Sequence, residues 1–292
     1  MICIETDILR VMIDEFGAQM SSIYHKKEKI EYLWQRDPQY WSSSSPVVFP
    51  VIGKLNGLKM CHEGREYTMK SNGLIRYTRL AVEEQKKDSV TFLFKNENKD
   101  IFPFLCSVRL TYSLQANRLE VSAQITNESE ESEMYYFYAG HPGFNIPMFE
   151  KENPNDYYIE FEKNESINVY DVCESGQLMN QTLPFFENEK RFFIRKDLFL
   201  KEALVFDHPK SDYLFIKSLN HSHQIRVNFS EFDNIAVWSP YRKDKDLKFV
   251  CIEPWIGHTE FKNYNGEWKN HDGIACLHPK KSKTYKFSID LS

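Results

Sequence analysis

Apolar and polar side chains alternate most clearly over "LCSVRLTYSL", residues 105–114, where Val108, Leu110, Tyr112 and Leu114 are separated by polar neighbours. The pattern repeats over "RLEVSAQIT" with Leu119, Val121, Ala123 and Ile125. A period of two places each set on one face of a strand. With only "QAN" between the runs, the segment is predicted to be an antiparallel hairpin with one buried face. Similar short strands are read in "VTFLFKN", "DYLFIKSL", "QIRVNFSEF", "NIAVWSP", "KFVCIEPW" and "TYKFSIDL", separated by clusters of Asn, Asp, Ser, Gly and Pro. No long stretch has helical periodicity. Many strands at short intervals without intervening helices predict an all-β chain, a large antiparallel sandwich formed by residues 1–292 as one domain. Tyr135 to Tyr138 are aromatic on both alternating faces, which predicts a central strand covered on both sides.

Composition narrows the function more than the fold. Net charge is -5 and the Lys and Arg residues are scattered, so the basic stripe that binds a polyanion is missing and no nucleic-acid partner is expected. The opening "MICIETDILRVMIDEFG" interrupts its apolar residues with Glu5, Asp7, Arg10 and Asp14, unlike an export signal. The uncharged "WSSSSPVVFPVIG" is too short to cross a bilayer, so a cytoplasmic protein without a membrane partner is expected. Six cysteines lie far apart with no C-x-x-C pair, which suits free thiols.

Candidate chemistry concentrates at two strand ends. In "YYFYAGHPGFNIP", Pro142 restricts the backbone of His141 toward extended geometry, and Gly140 and Gly143 remove side chains that would keep a ligand off the backbone. A core histidine tied to a carbonyl is the bland alternative. In "VCIEPW", Glu253 ends an apolar run and precedes Pro254 and Trp255, so partial desolvation should move its carboxyl toward the range useful for proton transfer. The alternative is a Glu satisfied by surface amides. One imidazole and one carboxylate suit a reaction needing one acid and one base. Nucleophile-elbow, dinucleotide, P-loop and zinc-protease signatures are absent. "HSH" puts His221 and His223 on one side of a possible strand, but no third ligand is near in sequence and no metal is expected. Trp34, Trp41, Trp238 and Trp255 sit near turns, where an indole can stack on a sugar or simply fill the core.

The segments "GAQMSSI", "EYLWQRDPQYW", "SPVVFPVIGKLNG", "NGLIR", "AGHPGFN", "EALVFD", "NIAVWSP" and "CIEPWIG", in this order, resemble the aldose 1-epimerase (galactose mutarotase) family, specifically its LacX-type branch. The resemblance implies a β supersandwich with a sugar cleft and neither metal nor organic cofactor. It implies that His141 protonates the sugar ring oxygen O5 and that Glu253 takes the proton of the anomeric hydroxyl. From reference values of about 4.3 and 6.5, modest shifts would give a carboxylate base and an imidazolium acid near neutral pH. Lys54 stands where the family usually has Arg, and Asn72 where it has a ligand-binding His, while Arg76 is retained. Glu202 matches a sugar-binding Asp; Asn145 and Trp255 fall within the two most specific motifs and are expected at the substrate site. The expected partner is a small-molecule sugar, and the expected assembly a monomer or homodimer. The implied activity is interconversion of hexose anomers; the altered positions leave a non-catalytic carbohydrate-binding protein on the same fold as the alternative. A glycoside hydrolase would need a second well-placed carboxylate.

Overall fold

The computed structural model covers residues 1–292, and the hairpin read from alternation is there: Cys106–Gln115 pairs antiparallel with Arg118–Asn127, with Gln115 opposite Arg118. Leu119, Val121, Ala123 and Ile125 are at most 2% exposed, and burying a Leu, Val or Ile side chain contributes roughly 1.5–3 kcal/mol. The hairpin is one part of a fourteen-stranded sheet that also contains Ser89–Asn96, Tyr213–Ser218, Ile225–Asn228, Asn234–Trp238, Phe249–Ile256 and Ser282–Leu291. Each of the six other predicted runs is therefore a strand of this sheet. Every strand pair in it is antiparallel, and the regular elements are strands and short 3-10 turns, with no α-helix. The first 31 residues form a separate four-stranded sheet. One contiguous cluster of 75 buried residues forms the main core.

Two features differ from the sequence expectation. The four aromatics are not one strand: Met134–Tyr136 pairs with Ala275–Leu277, and Tyr138–Ala139 pairs with Phe249–Ile256. Tyr136, Phe137 and Tyr138 are nonetheless at most 1% exposed, so burial on both sides survives the break. The longest hairpin, Tyr157–Val172 with Leu178–Phe193, carried no clear alternation, because register shifts interrupt the pairing and most of its second strand is exposed. Its turn reaches the rim of the cleft described below.

Gly73 shows how tightly the loop carrying Asn72 is held. Its φ is +77°, and a β-carbon there would lie 2.1 Å from the Phe49 carbonyl oxygen, which is backbone and cannot swing aside. Gly73→Ala is expected to lower stability by about 2–4 kcal/mol, read as a lower denaturant midpoint with an unchanged slope.

Candidate active site

All eight residues of the Phe249–Ile256 strand are buried, because it is paired on both edges. Asn234–Trp238 lies on one side, Tyr138–Ala139 and Gly143–Asn145 on the other. Glu253 and Cys251 are two apart and share a face. His141 occupies the break between the two short partner strands. That break is fixed on both sides by Gly140 N–H donating to Pro254 O (3.1 Å), Ile252 N–H to Pro142 O (3.1 Å) and Gly143 N–H to Ser44 O (2.8 Å). The result brings together two residues 112 positions apart in sequence: His141 Nε2 lies 3.3 Å from Glu253 Oε1.

The flanking glycines serve packing rather than ligand approach. A β-carbon on Gly140 would meet the Phe287 ring at 2.6 Å, and one on Gly143 would meet Trp41 and Phe249 at 3.2 Å. The small residues make room for rings.

Burial sets the electrostatics. Desolvation pushes the Glu253 carboxyl up to about 8; Glu202 adds to the rise, while the Trp255 indole N–H, donating to Oε2 at 3.2 Å, opposes it. Desolvation pushes His141 down to about 3, and the Arg76 charge acts in the same direction. The shifts are therefore larger than the modest ones expected from the sequence: the Glu253 shift has the expected upward direction, whereas His141 moves down, away from the expected imidazolium. Near neutral pH the free pair is a neutral imidazole beside a protonated carboxyl, holding one mobile proton across the 3.3 Å contact.

The pair opens into a cleft of about 770 Å³, within the roughly 300–1,000 Å³ usual for small-molecule sites. Lys54, Asn72, Arg76, Glu202 and Trp255 line it. Arg76 Nη2 donates to Ser43 Oγ (3.0 Å), and Glu202 Oε2 accepts from Trp238 Nε1 (3.0 Å). Asn72 Oδ1 accepts from Gly53 N–H (2.8 Å), which leaves its amide NH₂ as the group with no protein partner. Asn145 lies outside the cleft. Its amide donates to the carbonyls of Glu31 (2.8 Å) and Leu33 (2.9 Å), tying the small N-terminal sheet to the large one, so the expected substrate contact is replaced by a structural one.

Sequence reasoning missed Glu174, Arg242 and Thr259, which also line the cleft. The first sits in the turn of the long hairpin, and each of the others lies two residues after the end of a motif that drew attention to its neighbours. His221 and His223 lie elsewhere, their rings 5.6 Å apart, with His221 Nε2 at 3.0 Å from Tyr157 Oη and 3.3 Å from Glu152. They form no three-donor set. The donor atoms of His141, Cys251 and Glu253 lie within 4.8 Å of one another, and an ion there would take up both partners of the 3.3 Å contact.

The sequence model of the family described as aldose 1-epimerase matches residues 1–275. The chain belongs to this family. It is 32% identical over 263 residues to the plasmid-encoded protein LacX of Lactococcus lactis subsp. lactis, covering 87% of each chain. A galactose mutarotase related enzyme from Lactobacillus acidophilus superposes with a TM-score of 0.91 at 27% identity, over 100% of this chain and 97% of that one. A galactose mutarotase-like protein from Lactobacillus casei ATCC 334 has the same fold, with a TM-score of 0.93 at 24% identity over the whole of both chains. The antiparallel supersandwich of this aldose 1-epimerase family member is thus that of the galactose mutarotase-like proteins. No helix is long and apolar enough to cross a membrane.

Proposed function

We propose that the protein is an aldose 1-epimerase that interconverts the α and β anomers of a hexose, with Glu253 as base and His141 as acid. The observation that carries this reading is the 3.3 Å approach of His141 Nε2 to Glu253 Oε1 at the floor of one sugar-sized cleft. One proton crossing that contact converts the resting pair into carboxylate and imidazolium. Glu253 then takes the proton of the anomeric hydroxyl, the C1–O1 bond becomes a carbonyl, the C1–O5 bond breaks, and O5 takes the proton of His141. The pair ends neutral, as it began. Rotation about C1–C2 and the reverse transfers close the ring on the other face.

Burial has a definite role in this cycle. Desolvation favours the neutral pair, which accompanies both the closed ring and the open-chain aldehyde, so it disfavours only the charged pair between them and keeps that pair short-lived. Polarimetry on fresh α-anomers of free and phosphorylated hexoses tests the reading and names the substrate; absence of acceleration across the panel would reject it. Asn72 favours a second reading, a protein that binds sugar without turning it over, because its carbonyl is tied to Gly53 and only an amide NH₂, which cannot shuttle a proton, is left where the family usually has a His.

The pH profile separates this site from an unperturbed pair. With a carboxyl near 8 and an imidazole near 3, the free enzyme keeps one proton on the pair between those values. kcat/KM is expected to stay level through neutral pH and to fall about tenfold per pH unit above about 8, where the pair has no proton to give. A profile that already declines above about 6.5, the ordinary histidine value, would show that burial does not control the pair.

A further inference from the structure

His141 lacks the support usual for an imidazole that carries protons. Its Nδ1 is buried and has no hydrogen-bond partner, so no acceptor on the second nitrogen fixes the tautomer or the ring plane. Rings take that place. The Trp41 indole stacks on the imidazole with centroids 5.1 Å apart and planes inclined by 27°, and Trp238 meets it edge-on at 5.8 Å and 79°. Trp41 is in turn held from behind: Phe249 stacks on it at 5.4 Å and 16°, and Trp34 stacks on Phe249 at 4.6 Å and 26°. The result is a column of four rings with His141 at its open end. Trp34 Nε1 donates to the Trp41 carbonyl (2.8 Å), and Trp41 N–H donates to Asp37 O (2.9 Å), so the backbone under the indole is fixed as well. Gly143 leaves the space that the indole fills.

We propose that Trp41 is a positioning residue for His141: its face sets the plane of the imidazole, with Nε2 toward Glu253, and steadies the cation formed when the proton crosses to the ring. An aromatic face attracts a cation laid against it, and the attraction is strongest where water is excluded. The charged and titratable groups around the ring are Glu253 and the Cys251 thiol on the strand it faces, Arg76 and Lys54 on one wall of the cleft, and Glu202, Glu174 and Arg242 on the rim. Glu253 favours the cation and Arg76 opposes it. Trp41 adds an attraction that needs no second charge.

The inference rests on the epimerase reading, and two measurements keep their failures apart. In steady-state mutarotation, Trp41→Leu is expected to lower kcat roughly three- to thirtyfold, the range for a cation-π contact, with KM changed less than about twofold; Trp41→Phe should recover most of the loss. In NMR titrations of a Glu253→Gln background, the imidazole resonance that His141→Asn removes should titrate with an acid dissociation constant larger by roughly the same factor when Trp41 becomes Leu. A raised KM with unchanged kcat would overturn the proposal and make Trp41 a platform for the sugar. An unchanged His141 titration would overturn it too. The expected titration shift in a protein without mutarotase activity would support the ring-holding role while rejecting the epimerase reading.

Discussion

Replacing Glu253 with Gln is expected to lower the mutarotation rate by roughly a hundredfold or more, the usual scale for a positioned base, and at the same time to stabilise the folded protein at neutral pH. The two effects have one cause. A carboxyl raised from 4.5 to about 8 contributes stability that is complete below about pH 4.5 and is lost progressively as the pH rises to about 8. By pH 7 that loss is on the order of 3 kcal/mol, and a Gln, which never ionises, avoids it. The variant's denaturation midpoint should therefore exceed that of the wild type at pH 7 and converge with it near pH 4.5. His141→Asn is expected to lose a similar factor in rate, because the acid is removed and Glu253 has no imidazole to which to pass its proton. Rates near wild type in both variants would place the chemistry elsewhere. Loss of rate accompanied by loss of stability in Glu253→Gln would show that damage to the fold, not to proton transfer, is being measured.

The second large effect concerns the walls of the cleft. Lys54→Arg combined with Asn72→His is expected to raise turnover of free galactose or glucose by two orders of magnitude or more. A hydrogen bond to a charged group is worth roughly 1.5–3 kcal/mol, and two are restored together. Position 72 has a φ of +62°, a conformation in which His is among the better tolerated residues, so the exchange does not oppose the backbone. Arg at position 54 returns a planar two-pronged donor in place of a single ammonium. A rise on free hexoses identifies a competent epimerase whose specificity has moved toward another sugar, one with an anionic group being the natural fit for Lys54. Hexose binding without turnover, with His141 and Glu253 intact, selects the binding-protein reading.

Much of this was legible in the chain, and the exceptions have physical causes. Alternation exposed the strands whose two faces differ, such as Arg118–Asn127, and missed Leu178–Phe193, where most positions on both faces meet solvent. His141 and Glu253 were recognisable because each ends an apolar run before a proline, a local signal that the fold turns into a 3.3 Å contact. The size of their pKa shifts was not recognisable, since it depends on neighbours brought from distant segments. Asn145 misled for a related reason: sequence proximity to His141 says nothing about which partners an amide finds, and here it finds the carbonyls of Glu31 and Leu33. Trp41 was visible only as an aromatic near a turn, because stacking on an imidazole 100 positions away leaves no mark on its own segment.

The division of labour between strand and loop has a consequence for how such a protein diversifies. The His141–Glu253 pair is supported by the most enclosed strand of the large sheet, whereas Lys54, Asn72, Glu174, Glu202 and Arg242 all lie in turns or irregular segments around the cleft. Loop residues accept substitution far more readily than residues of a packed strand. On the epimerase reading, changes of substrate can therefore accumulate on the rim one residue at a time while the His141–Glu253 pair is inherited unchanged. For the same reason a library confined to those five positions offers an engineer a search of new sugars in which the catalytic floor and most of the core stay fixed.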